Sequence, residues 1–246
     1  MIPFFYIKLP GKLFCLLFFI SIFNLNGLAQ DDPMKDLKRI FFPYPMHKNW
    51  QVSIGVVSTT MTQEVTEELR FRVPALDLHV LKRLGRQWLL DARLNSQAFQ
   101  NQVTLGPHWT KKLGEHLSMG LGNEFGFWIG FMNLAGYKTK GMGWSNTPSI
   151  SFGYRFEKGS LLTVRAESLM SLGKNTYAGT TRISRENQVF NGSAYSVFFE
   201  QPFFSDKSVT LGFRAIYTNF LWQTWALFEN YERNLFYPQI IIGVIL

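Results

Sequence analysis

Lys82–Gln87 (KRLGRQ) and Lys111–His116 (KKLGEH) are short basic turns, and each is set between runs of alternating apolar and polar residues. Leu76, Leu78 and Val80 precede the first at period two, and Trp88, Leu90, Ala92 and Leu94 follow it. Val103, Leu105, Pro107 and Trp109 lead into the second. Leu117, Met119, Leu121 and, past Asn123, Phe125 and Phe127 lead out of it. Side chains of a strand point alternately to opposite faces, so this period gives every run one apolar and one polar face. The two turns therefore predict antiparallel hairpins joined tightly at one end.

The pattern continues in both directions. A first strand from about Trp50 has Trp50, Val52, Ile54 and Val56 on its apolar face, and the connection Thr59–Glu68 leads to a second over Leu69–Leu81. The phase of that second strand slips around Pro74–Ala75, as a bulge or an edge proline would make it. Strands three to five span about Gln87–Asn95, Gln102–Lys111 and His116–Phe131, the last with Gly120, Gly122, Gly126 and Gly130 on its polar face. After a loop Met132–Gly143, strand six covers Trp144–Phe156, and the turn Glu157–Ser160 opens strand seven with Leu162, Val164 and Ala166. The longest loop, Gly173–Asn187, precedes strand eight, which ends in Tyr195, Val197 and Phe199. A turn at Phe204–Lys207 gives strand nine, with Val209, Leu211, Phe213, Ala215 and Tyr217, and the aromatic loop Asn219–Asn234 precedes the last strand, Leu235–Leu246.

The count is about ten, with eight or twelve left open by a merged or divided hairpin. An even count with tight turns on one side and longer loops on the other is the pattern of an all-β, antiparallel transmembrane β-barrel with short periplasmic turns. A soluble β-sandwich would also alternate, but it turns its apolar faces inward and has less use for aromatics at strand ends. Here Trp50, Trp88, Trp109, Tyr154 and Phe156 fall towards one set of strand ends, and Phe131, Trp144, Tyr217 and Trp222 towards the other. Two such girdles suit the headgroup levels of a bilayer.

Composition agrees. Of 246 residues, 46% are hydrophobic and 16% aromatic, yet mean hydropathy is only -0.01, as expected when lipid-facing and lumen-facing residues cancel. Residues 1–29 read as a cleaved signal peptide: Lys8 and Lys12, an apolar run Leu13–Phe23, then Gly27 and Ala29 before Gln30. An uncleaved anchor helix is the rival, disfavoured by the short apolar run. The single cysteine, Cys15, lies inside that run, so the mature chain has no disulfide or thiolate chemistry. Residues 30–48 form a polar lead-in with one apolar patch, Ile40–Phe42, either a periplasmic tail or a segment packed under the barrel, and termini favour the tail. The barrel takes 49–246. The net charge of +8 points, in an exported chain, to anionic lipid headgroups rather than nucleic acid.

On these segments the chain resembles the small outer-membrane β-barrel proteins of Gram-negative bacteria, the porin-like and OmpX-like group. The resemblance covers about Trp50–Leu246 with the export signal, and rests on pattern rather than on a specific motif. It implies an outer-membrane location, outer-membrane lipids as surroundings, and insertion by the barrel-insertion machinery. Members usually end on an aromatic residue, whereas Ile240, Ile242, Val244 and Leu246 end this chain.

With the polar faces inward, the lumen holds Arg70, Arg72, Asp77, His79, Asp91, Arg93, His108, Glu124, Arg155, Arg165, Glu167, Glu200 and Arg214. Side chains fill a barrel this narrow, and buried charges must be paired, so a salt-bridged plug is expected. The sharper reading is a path for ions or small solutes lined by the same groups. Asp77 and His79, at i and i+2, could form an acid–base pair, but no serine or second acid stands beside it, and a structural hydrogen bond is favoured. The four histidines have no metal-ligand spacing, and nothing calls for a cofactor. Lys138, Lys140, Lys174, Arg182 and Arg185 are expected in outer loops, either solvated or holding lipopolysaccharide phosphates. Leu221, Trp222, Trp225, Phe228 and Tyr231 fall at nearly helical spacing, as a short interfacial helix, a partner site or, favoured, packing on the rim. The reading is a non-enzymatic barrel with an occupied lumen and a structural or surface-binding role. A narrow channel is the alternative, and a lipid-modifying enzyme or protease the second; no protein partner is legible.

Overall fold

The computed structural model describes residues 37–66, 72–134, 137–183, 189–203, 207–227 and 232–246. The signal segment, Arg70, Arg185, Phe228 and Tyr231 lie outside them. The strands are β1 (Trp50–Thr60), β2 (Arg72–Arg83), β3 (Trp88–Ser96), β4 (Gln100–Lys112), β5 (Leu117–Leu134), β6 (Tyr137–Arg155), β7 (Leu161–Ala178), β8 (Thr181–Arg182), β9 (Phe190–Phe203), β10 (Lys207–Thr218) and β11 (Leu235–Ile245). Consecutive long strands pair antiparallel, and β8 only extends the edge of β7, so ten strands circle the barrel. β1 closes on β11 from Ser53↔Ile245 to Thr59↔Gln239. Leu246 N–H adds a bond to the Val52 carbonyl at 2.9 Å. Closure leaves no sheet edge, which is how strands satisfy their backbone in lipid.

The period-two reading sets the faces. Ile54, Phe152 and Leu211 stand outward, 53%, 50% and 54% exposed, while Ser53, Gly153 and Thr210 turn in, buried. Trp50, Trp88, Tyr154 and Phe156 are exposed near the tight-turn end; Phe131, Trp144 and Tyr217 are exposed towards the opposite end.

Several boundaries differ from the sequence reading. The expected loop Met132–Gly143 is the tip of a tall hairpin, since β5 runs to Leu134 and β6 starts at Tyr137. Polar and glycine-rich residues there keep the strand alternation without apolar ones to advertise it. β7 likewise runs on to Ala178. The ladder between β1 and β2 is unbroken from Trp50↔Lys82 to Thr60↔Arg72, so no phase slip occurs at Pro74. Arg72 therefore shares the outward face with Leu76 and Leu78 and is exposed, not lumenal. Between β6 and β7, Trp144 pairs with Gly173 but Ser145 with Ser171. This bulge at Leu172 reverses the faces beyond it.

Two apolar layers close the lumen. At the tight-turn end, residues 39–46 enter the barrel instead of trailing as a tail: Ile40, Phe41 and Met46 pack with inward Val57, Ala75, Leu81, Leu89, Phe198, Ile241 and Ile245. The Phe41 ring stacks on Phe198 at 3.8 Å. Arg39 ties the segment to itself through the Leu37, Tyr44 and Pro45 carbonyls. At the other end, a 3₁₀ helix, Trp222–Leu227, folds inward over Met61, Ala194, Ile216, Leu221, Leu235 and Tyr237. Trp222 packs against this cluster rather than in an outer girdle. Trp225 lies over Gly130 and Gly141, where any Cβ would collide with its ring.

Arginine at Ile54, Phe152 or Leu211 is expected to destabilise the barrel in lipid vesicles by about 2–4 kcal/mol, the cost of a lipid-facing charge near the midplane. Arginine at Leu84, exposed in a turn, should cost less than about 1 kcal/mol. Denaturant titration of vesicle-embedded variants measures both, and equal costs at Leu84 and Leu211 would contradict the outward face assigned to β10.

Candidate functional site

Between the two apolar layers lies a belt of charge. Arg93 grips Asp77 with both ends of its fork, Nε–Oδ1 at 2.6 Å and Nη2–Oδ2 at 2.8 Å. His79 Nε2 meets Asp91 Oδ1 at 2.8 Å. His108 Nε2 is 3.0 Å from Glu124 Oε1 and 3.7 Å from Asp91 Oδ2. Each of these pairs is a cross-strand diagonal, because His79 sits opposite Arg93, Asp77 opposite Asn95, and His108 opposite Gly122.

The belt continues across the lumen. Arg165 on β7 reaches over β6 to Glu124 and to Ser149 Oγ, the latter at 3.1 Å. Its Nε lies 3.2 Å from Glu167 Oε1, and Glu167 Oε2 takes Arg214 Nη2 at 2.7 Å. The Asp77–His79 acid–base pair is not made: each residue is held by a different partner.

Other expected lumen residues lie elsewhere. Glu200 does not join an arginine of the belt. Its carboxylate accepts the backbone N–H groups of Ile40 at 2.7 Å, Phe41 at 3.2 Å and Phe42 at 2.9 Å. It thereby clamps the inserted segment, whose backbone would otherwise be buried unpaired. Arg155 is half-buried at the tight-turn end, its Nη2 3.4 Å from the Glu115 carbonyl. Among the basic outer-loop candidates, Lys138, Lys140 and Arg182 are exposed on hairpin strands, with Lys140 Nζ 4.8 Å from the Tyr177 ring. Lys174 is not in a loop. The Leu172 bulge turns it inward, buried, with Nζ 4.0 Å from the Phe220 ring.

A cavity with about 110 Å³ of space for water separates belt from cap. Asp91, Arg93, Glu124, Arg165 and Arg214 line it together with Trp128, Phe220, Leu221 and Trp222. The apolar patch Ile40–Phe42 marks the inserted segment in the sequence, but nothing there announces the Glu200 clamp. The glycine stripe of β5 did carry a signal: Pro43 lies against Gly120, His108 against Gly122 and Trp225 against Gly130.

Breaking one pair tests the belt. Arg93→Met leaves Asp77 buried without its counter-ion and should cost about 3–5 kcal/mol, while Arg93→Met with Asp77→Leu should recover most of it. Denaturant midpoints of the two variants measure this; a single-variant loss below about 1 kcal/mol would remove the pair from the structural account.

No protein-family model and no curated protein sequence matches the chain. Among solved structures it is similar to the translocator domain of the autotransporter NalP from Neisseria meningitidis, at 11% identity and a TM-score of 0.45 over 96% of this chain and 94% of that one. It is similar also to outer membrane phospholipase A from Escherichia coli, at 10% identity and 0.36 over 87% and 95%. A third likeness is to Ail, the attachment invasion locus protein of Yersinia pestis, at 6% identity and 0.26 over 80% and 97%. With its closed ladder and outward apolar face, the chain is a small barrel of the outer-membrane type.

Proposed function

We propose that the protein is a non-conducting outer-membrane barrel, exported by a cleaved signal, with a structural or surface-binding role rather than an enzymatic one. The observation that carries this reading is the Glu200 clamp. Three backbone N–H groups donated to one buried carboxylate hold Ile40–Phe42 inside the barrel, and the apolar layer around them seals the periplasmic end. Gln223 and Thr59 fix the cap at the other end through a 2.8 Å side-chain bond. The arginines of the belt between are spent on internal pairs, and its histidines face carboxylates. Exposed Lys138, Lys140 and Arg182 on the protruding hairpins supply cations for lipopolysaccharide phosphates.

The channel reading draws on one observation, the cavity above the belt. Planar-bilayer recording separates the two. The mature protein should stay near background conductance, whereas Glu200→Ala or deletion of 37–48 should give stepwise openings. Steady conductance by the unaltered protein would make it a channel. Binding to lipopolysaccharide vesicles should fall with added salt and with Lys138→Ser, Lys140→Ser and Arg182→Ser combined. Binding that ignores all three would detach the hairpins from any surface role.

A further inference from the structure

The geometry points to a mononuclear divalent transition-metal site in the barrel wall, built from Asp91, His108 and Glu124. One ligand atom from each, on the adjacent strands β3, β4 and β5, lies within 4.8 Å of the others. His108 Nε2 stands at the apex, 3.0 Å from Glu124 Oε1 and 3.7 Å from Asp91 Oδ2. Ligands bound about 2.0–2.2 Å from a zinc ion are themselves roughly 3–4 Å apart, so small side-chain rotations complete the triangle.

The charge of the belt asks for a cation at this point. Asp77, Glu124 and Glu167 each touch an arginine: Arg93, Arg165, and both Arg165 and Arg214. Asp91, only 3% exposed, touches no arginine among the described residues. Arg93 and Arg165 act on it only at longer range, and its contacts are the imidazoles of His79 and His108. His79 Nε2, 2.8 Å from Asp91 Oδ1, holds that carboxylate with Oδ2 turned towards His108, the support a ligating carboxylate receives from behind.

A metal ion beside His108 Nε2 answers the Asp91 carboxylate, which touches no arginine among the described residues. The ion gathers the imidazole and both carboxylates at once. The cavity touches Asp91 and Glu124, which leaves a water as fourth ligand. Gly122 makes room for the imidazole, since a Cβ there would stand 2.6 Å from His108 Nε2. One nitrogen and two carboxylates suit zinc and its neighbours, not calcium or magnesium, which take oxygen ligands.

The test uses the mature barrel in detergent, stripped with chelator and equilibrated with buffered zinc. One zinc ion per chain is expected, with an X-ray absorption edge spectrum showing a single imidazole and otherwise oxygen ligands. His108→Gln and Asp91→Asn should each weaken zinc binding at least tenfold, His116→Gln should not, and excess calcium should not compete. Failure to take up one equivalent, an edge spectrum with no imidazole or with two, or unchanged binding in His108→Gln would overturn the site. The spectrum reads the unaltered protein, so it decides the question even where a variant fails to fold.

Discussion

Closure of the sheet is the constraint on which everything else depends. In hydrocarbon no water can take up an unpaired N–H or C=O, so a strand-built membrane protein must leave no edge. Here the last strand returns to the first through the Ser53–Thr59 ladder with Gln239–Ile245. Once ten strands are closed, the interior is narrow enough for side chains to fill it. The period of two then sends every second residue into that space. Sequence composition on the inward face is therefore a packing problem solved in layers: apolar plug, charged belt, cavity, apolar cap.

The belt shows why charges are tolerated there. A buried carboxylate or guanidinium is costly unless it is paired and hydrogen-bonded. The barrel supplies partners in two ways. Neighbouring strands place Asp77 beside Arg93 and His108 beside Glu124 on regular diagonals. Curvature does the rest, letting Arg165 reach Glu124 across β6 and Arg214 reach Glu167 across β9. The first kind follows from register alone; the second exists only because the sheet is bent into a tube.

That division also explains what was legible in the sequence. Apolar alternation marked the strands, their order, and the inward placement of Asp77, Asp91, Arg93, Glu124, Arg165 and Arg214. It failed where polarity hid it, as in the hairpin tip at Lys138 and Lys140, and where a backbone irregularity reversed it, as at Lys174 beyond the Leu172 bulge. Pro74 misled in the opposite sense: it sits in an unbroken ladder, so the inferred slip wrongly turned Arg72 inward. The clamp between Glu200 and Ile40 spans 160 positions and has no local signature. The glycine stripe of β5 was visible as a pattern, but its meaning, room for Pro43, His108 and Trp225, needs the partners to be known.

The layers are not independent, because the tip of the inserted segment is part of the belt's floor. Phe41 lies edge-on to His79 at 5.1 Å, and the Arg93 guanidinium stands 5.5 Å above the same ring. Phe41 thus screens both the Asp77–Arg93 pair and the His79–Asp91 pair from the tight-turn end of the barrel. Low dielectric strengthens those ion pairs and raises the penalty for leaving any member alone. Water admitted by withdrawal of Phe41 would weaken the pairs and at the same time lower that penalty. Sealing the barrel and holding its charges in one arrangement are consequently a single property, resting on Glu200 below the belt and on Phe41 against it.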